Sequence, residues 1–172
     1  MLAWLSVLAH HNPNAGKPLV SVKDIVERHW ATFGRHFYSR FDYEAVASER
    51  ADEMMEHLRG HFPVLLEEVG LVFGELKCLD MESFTYEDPM DGSLSENQGI
   101  VLTFEGSERA IFRLSGTGSE GATIRLYLEK YEDNATKHGE STAVALAQVA
   151  AAALEASNLA AITGRDSPSV IT

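Results

Sequence analysis

The sequence predicts an α+β fold built on a small, mainly antiparallel sheet. Strand-like segments of alternating apolar residues cluster in the middle of the chain, short turn-rich joins link them, and segments of helical period stand before, between and after them. Short joins favour antiparallel neighbours, because a parallel crossover needs a dozen or more residues.

Each element has its own signal. The opening MLAWLSVLAHHNPN has a short apolar run with no basic residue ahead of it, and it reads as a short packing helix rather than a leader peptide. Residues 12–20, NPNAGKPLV, read as a loop. Ser21 with Asp24 three positions on forms a capping-box pattern, Val22, Ile25, Val26, Trp30 and Phe33 follow at helical spacing, and Gly34 stops the helix. HFYSRFDYEAV alternates and predicts a strand. Ser48 opens a helix with Ala51, Met54, Met55 and Leu58 on one side. LVFGELKCL predicts one strand, followed by a polar connection, MESFTYEDPMDGSLSENQG, turning around Pro89 and Gly92. GIVLTFE and RAIFRLS predict a hairpin turning at Glu105–Ser107, ATIRLYLEKY a further strand, and Ser141–Ile162 one long alanine-rich helix ending before Gly164.

Composition narrows the function. The chain has 172 residues, a formal charge of −12 and a single cysteine, Cys78. The negative charge repels polyanions, so neither nucleic acid nor an anionic membrane surface is an expected partner. A lone cysteine in a strand-like run reads as a buried thiol, and it suits a reducing, cytoplasmic setting. The seven histidines read as structural or solvated, Asp88 and Asp91 as turn residues, and no metal site is expected in the chain.

The stretch RLSGTGSEGATIR, residues 113–125, carries the strongest functional signal. Ala110, Phe112 and Leu114 share one face before it; Ala122, Ile124, Leu126 and Leu128 share one face after it. A hairpin centred near Ser119 sets Arg113 and Arg125 opposite one another on the other face. Like charges in that position destabilise a sheet. An anion between them reverses the sign, and the planar guanidinium suits phosphate or carboxylate. Hydroxyls at Ser115, Thr117 and Ser119, with glycines at 116, 118 and 121, add donors and room for backbone approach. GTGSEG also fits G-x-G-x-x-G, but a period-two segment follows where a dinucleotide fold opens a helix, so that reading is rejected.

RLSGTGSEGATIR, DPMDGSLSENQG, GRHFYSRFDYE and TGRDSPSVIT, taken in order, resemble the C-terminal part of the phosphoglucomutases of the alpha-phosphohexomutase superfamily. The resemblance runs along the whole chain but covers about the last third of the family's length. It implies a C-terminal domain in which helices pack on one face of an antiparallel sheet, of TATA-box-binding-protein-like type. It further implies that residues 1–20 are a remnant of the preceding domain with a linker, and that residues 21–172 form the substrate-phosphate-binding domain. By motif position, the resemblance assigns the phosphate that is not transferred to Arg113, Ser115, Gly116, Thr117, Gly118 and Arg125. The implied reaction interconverts glucose 1-phosphate and glucose 6-phosphate through a phosphoserine and glucose 1,6-bisphosphate, with Mg2+ in the intact enzyme. The implied partners are a hexose phosphate and the other domains of the same enzyme.

The family's T-A-S-H-N-P nucleophile loop, D-G-D-G-D-R metal loop and G-E-E-S-x-G sugar loop have no counterpart here; AHHNPN places His10 where the serine belongs. No catalytic residue is therefore expected in the chain, and neither Mg2+ nor the bisphosphate is expected to bind it alone. Two positions depart from the pattern: Glu120 replaces a small residue in the phosphate loop, and Glu96 a basic one in SENQG. The alternative reading is a freestanding, non-catalytic module that binds phosphosugars or anions.

Overall fold

The computed structural model describes residues 1–14, 16–67, 70–118 and 121–172, with backbone only at 65–67 and 117–118. The chain divides into two compact units, residues 1–35 with 132–140, and residues 36–131 with 141–172.

The first unit holds helices α1 (Leu2–His11) and α2 (Val22–Phe33). The predicted capping box closes α2: Ser21 Oγ accepts from Asp24 N at 3.2 Å, and Asp24 Oδ2 accepts from Ser21 N at 2.7 Å. The Ser21 hydrogen bonds hold the Asp24 carboxyl below the usual range. Asn12 ties the loop shut, its side chain donating to Val20 O at 3.1 Å and accepting from Val20 N at 2.8 Å. After α2, Arg35 stacks over Trp30 at 4.2 Å.

The second unit is the sheet and its helices. Its strands are β1 (Arg35–Val46), β2 (Leu71–Phe73), β3 (Leu76–Glu87), β4 (Leu94–Phe104), β5 (Arg109–Gly118), β6 (Gly121–Glu132) and β7 (Val170–Ile171). They lie in the order β2-β3-β4-β5-β6-β1-β7. The pairs β2–β3, β3–β4, β4–β5, β5–β6 and β1–β7 are antiparallel. So is β6–β1: His36 meets Glu129 near one end, and Val46 O comes within reach of Gly121 at the other.

One face of the sheet is covered. Phe37 and Tyr43 of β1, Ile100, Leu102 and Phe104 of β4, Phe112 of β5, and Ile124, Leu126 and Leu128 of β6 are buried there. They pack against Ala51, Met54, Met55 and Leu58 of α3 (Ser48–Arg59) and against Val149, Ala152, Ala153 and Ala156 of α6 (Ala147–Ser157). Fully burying one such large side chain contributes about 1.5–3 kcal/mol, so this layer fixes which face of each strand stays open. The α+β class and the helix-covered sheet agree with the reading from sequence.

Several boundaries differ from that reading. LVFGELKCL is two strands, because Gly74 at φ 57° lets the chain reverse between Phe73 and Leu76. The polar segment 81–99 is mostly strand: β3 runs on to Glu87 and β4 starts at Leu94, with a turn between them in which Asp88 and Asp91 accept backbone N–H bonds from Met90 and Ser93. This ribbon is held by its backbone ladder and largely exposed, so it carries no apolar alternation. The alanine-rich helix is three helices, α5 (Thr142–Ala145), α6 and α7 (Leu159–Thr163), broken at Leu146 and at the left-handed Asn158. Helix α4 (Phe62–Glu67) and strand β7 have no counterpart in the sequence reading.

Candidate anion-binding site

The β5–β6 ladder pairs Phe112 with Leu126, Arg113 with Arg125, Leu114 with Ile124 and Ser115 with Thr123, the register that a centre at Ser119 predicts. Between Ser115 and Gly118 the register shifts, and Gly118 pairs with Gly121. Phe112, Ile124 and Leu126 fill the core, so alternation puts Arg113 and Arg125 on the open face. Gly116, at φ 74°, adopts backbone geometry that side chains disfavour, and it bends the end of β5.

The same two strands contain an internal comparison. At the far end of the ladder Arg109 pairs with Glu129, and their side chains form an ion pair. Glu129 also takes His36 Nδ1 at 2.9 Å. Burial pushes the Glu129 carboxyl up, but Arg109 and His36 outweigh it and hold it below the usual range. Arg109 thus meets a carboxylate across the ladder, whereas Arg113 meets a second cation.

Neither arginine of that second pair joins an ion pair among the described residues. Arg113 is exposed; its Nε donates to the Gln98 carbonyl at 2.9 Å, and its Nη2 lies 3.5 Å from Gln98 Oε1. Arg125 is half-buried, and its Nε is buried without a hydrogen-bond partner. Leaving such a donor unsatisfied costs about 1–3 kcal/mol, more for a charged group.

Of the residues singled out from sequence, Arg113, Ser115, Gly116, Gly118 and Arg125 sit on the open end of this hairpin. Thr117 lies on β5 between them, while its side chain, Ser119 and Glu120 fall outside the described residues. Glu96 is exposed, and its carbonyl accepts from Gln98 Nε2 at 3.3 Å. The glycine run leads into β6 and not into a helix, as the rejection of a dinucleotide fingerprint requires. Gln98 was missed, because it reaches the site from a third strand.

The open face also bears a cavity of about 580 Å³, lined among others by Tyr38, Arg40, Arg109, Ile111, Tyr127 and Glu129. Among the described residues no three His, Cys, Asp or Glu side chains group as metal ligands. His57 and His61 stand at H-x-x-x-H spacing and meet edge to face at 5.1 Å, but His61 Nε2 lies 3.1 Å from Ala156 O, and among the described residues no third ligand joins them. Among those residues no helix is long and apolar enough to cross a membrane. Cys78 is buried, and burial pushes its thiol up to about 11.

A helix-backed antiparallel sheet whose open hairpin sets two arginines opposite one another, neither in an ion pair among the described residues, defines an α+β domain. Among solved structures it is similar to the exocytosis-sensitive phosphoprotein pp63/parafusin of Paramecium, a phosphoglucomutase, in its open form. The TM-score is 0.84 at 46% identity, over 99% of this chain and 28% of that one. Residues 35–169 match the family model described as Phosphoglucomutase-1, C-terminal domain. The whole chain aligns at 48% identity with 31% of a probable cytoplasmic phosphoglucomutase of Arabidopsis thaliana. It aligns at 49% with 30% of the cytoplasmic enzyme of Pisum sativum, and at 46% with 28% of the chloroplastic enzyme of Arabidopsis thaliana. The chain belongs to the phosphoglucomutase family, as its C-terminal part. It spans about 30% of the length of these relatives, which are named as cytoplasmic and as chloroplastic alike.

Proposed function

We propose that this chain holds the non-transferred phosphate of a hexose phosphate within a phosphoglucomutase that interconverts glucose 1-phosphate and glucose 6-phosphate in the cytoplasm. The observation that carries this reading is the Arg113–Arg125 pair, directly opposed on an open face, with neither side chain in an ion pair among the described residues. The phosphate sits between the two guanidinium forks. Ser115, Gly116, Thr117 and Gly118 contribute hydroxyl and backbone N–H donors from the end of β5. Each charge-assisted contact is worth about 1.5–3 kcal/mol, enough in combination to hold and orient the substrate.

In this reading residues 21–172 are the phosphate-binding domain, and chemistry at the other end of the sugar belongs to other domains of the same enzyme. Magnesium there supplies charge neutralisation on the moving phosphoryl group, with glucose 1,6-bisphosphate as the intermediate. The described residues of this chain do not assemble a magnesium site, and no step at the metal is assigned to them. Holding the remote phosphate lets binding energy be spent on positioning the reacting end.

Calorimetric titration of the 172-residue chain with glucose 6-phosphate tests the reading. Weak, salt-sensitive binding that glucose does not compete away, without any conversion to glucose 1-phosphate, is the expected result. Conversion by this chain alone, or equal binding of glucose and its phosphate, would overturn it.

A further inference from the structure

Arg113 is held by β4 as well as carried by β5. The pairing of Ile100 with Phe112 sets Gly99 beside Arg113, so a row across the open face runs Gly99, Arg113, Arg125. A Cβ on Gly99 would lie 2.9 Å from Arg113 Cγ and 2.7 Å from Phe112 O. The stem of Arg113 therefore fills the space that any larger residue at 99 would claim, and its head meets Gln98.

Two oxygens of Gln98 meet that head, the carbonyl at Nε and Oε1 near Nη2. The segment that presents them departs from regular strand geometry. Asn97 is left-handed at φ 55°, Ser83 Oγ donates to its Oδ1 at 3.2 Å, and the β3–β4 register shifts between Phe84 and Tyr86. Gln98 Nε2 is taken by Glu96 O, leaving the amide oxygen to the guanidinium.

The chemistry of the holder matters. Glu129 fixes Arg109 and cancels its charge, whereas the amide and carbonyl of Gln98 fix Arg113 and leave its charge in place. A restrained but unneutralised arginine has already lost its rotamer freedom and still offers its outer N–H donors to an anion.

We propose that Asn97–Gly99 positions Arg113 for the anion, with Gln98 the positioning residue that fixes its guanidinium and Gly99 the gap that admits its stem. This rests on the phosphate reading of the hairpin.

The test measures dissociation constants for inorganic phosphate, by calorimetry on the full 172-residue chain, in Gln98→Ala, Gln98→Glu, Arg113→Ala and the two double variants. Gln98→Ala should weaken binding about threefold, the size of one side chain's lost restraint. Gln98→Glu should weaken it about tenfold or more, since a carboxylate holds Arg113 and neutralises it. In the Arg113→Ala background the alanine substitution should have no further effect, and the glutamate much less. Parent-like affinity in Gln98→Ala, a Gln98→Glu chain binding at least as well as Gln98→Ala, or undiminished losses without Arg113 overturns the positioning role alone. An Arg113→Ala chain that binds phosphate like the parent overturns the phosphate reading, and the positioning role with it.

Discussion

Replacing Arg113 with alanine should separate affinity from stability. In the anion-free chain the substitution removes the exposed hydrogen bond to Gln98 O, worth a net of about 0.5–1.5 kcal/mol, together with the long 3.5 Å contact to Gln98 Oε1, which adds little. It also removes a like charge directly opposite Arg125, a relief of about 0.2–1 kcal/mol. The two nearly cancel, and the residue is exposed, so unfolding stability should shift by less than about 1 kcal/mol. Phosphate affinity should fall by about 1.5–3 kcal/mol, or roughly 10- to 150-fold. Urea unfolding with and without phosphate reads both quantities. At a phosphate concentration a hundredfold above the parent's dissociation constant, the parent gains about 2.7 kcal/mol, and a variant that binds thirtyfold more weakly gains about 0.9 kcal/mol. A variant that keeps the parent's full phosphate-dependent gain, or that loses more than about 2 kcal/mol without phosphate, would refute the reasoning.

Three further outcomes follow from the same geometry. Arg125→Lys keeps the charge but loses the planar fork, so phosphate affinity should drop by roughly tenfold in the same titration; an unchanged constant would show that charge alone suffices. The Glu129 carboxyl is depressed in the fold, so its contribution is full above the unfolded value of about 4.3 and is lost as the pH falls through the lower folded value. The stability difference between parent and Glu129→Gln should therefore shrink with acidification below about pH 4.3; a difference constant down to about pH 3 would contradict the Arg109–Glu129–His36 network. Cys78 is fully buried with its thiol pushed up to about 11, so at about pH 8 a thiol reagent should label it only as fast as the chain opens. Immediate labelling of the native chain would place that thiol elsewhere.

Apolar alternation was enough to write the β5–β6 hairpin. Ala110, Phe112 and Leu114 on one strand and Ala122, Ile124, Leu126 and Leu128 on the next each mark a buried face. Two such strands joined by a short loop leave little freedom of register, because a slip of one residue would turn every apolar side chain outward. The opposition of Arg113 and Arg125 follows from that local pattern, as the capping of α2 follows from Ser21 and Asp24. The α+β class was legible for the same reason.

What lay beyond local pattern was decided by pairing and packing between distant segments. The outer halves of β3 and β4 bury little, so their sequences alternate in nothing, and only the backbone ladder between Phe84 and Gly99 or Tyr86 and Ser95 makes them strands. The alanine-rich segment has helical propensity throughout, yet Asn158 turns left-handed so that Ala156 and Leu159 can both enter the core. Gln98 reaches Arg113 from a third strand, through a register that the pairing of Ile100 with Phe112 sets and that no spacing within residues 113–125 encodes. Local sequence thus placed the two cations opposite each other because burial of their neighbours enforces it. The fold alone determined what restrains one of them, since a hydrogen bond across the sheet depends on which strand comes to lie beside it.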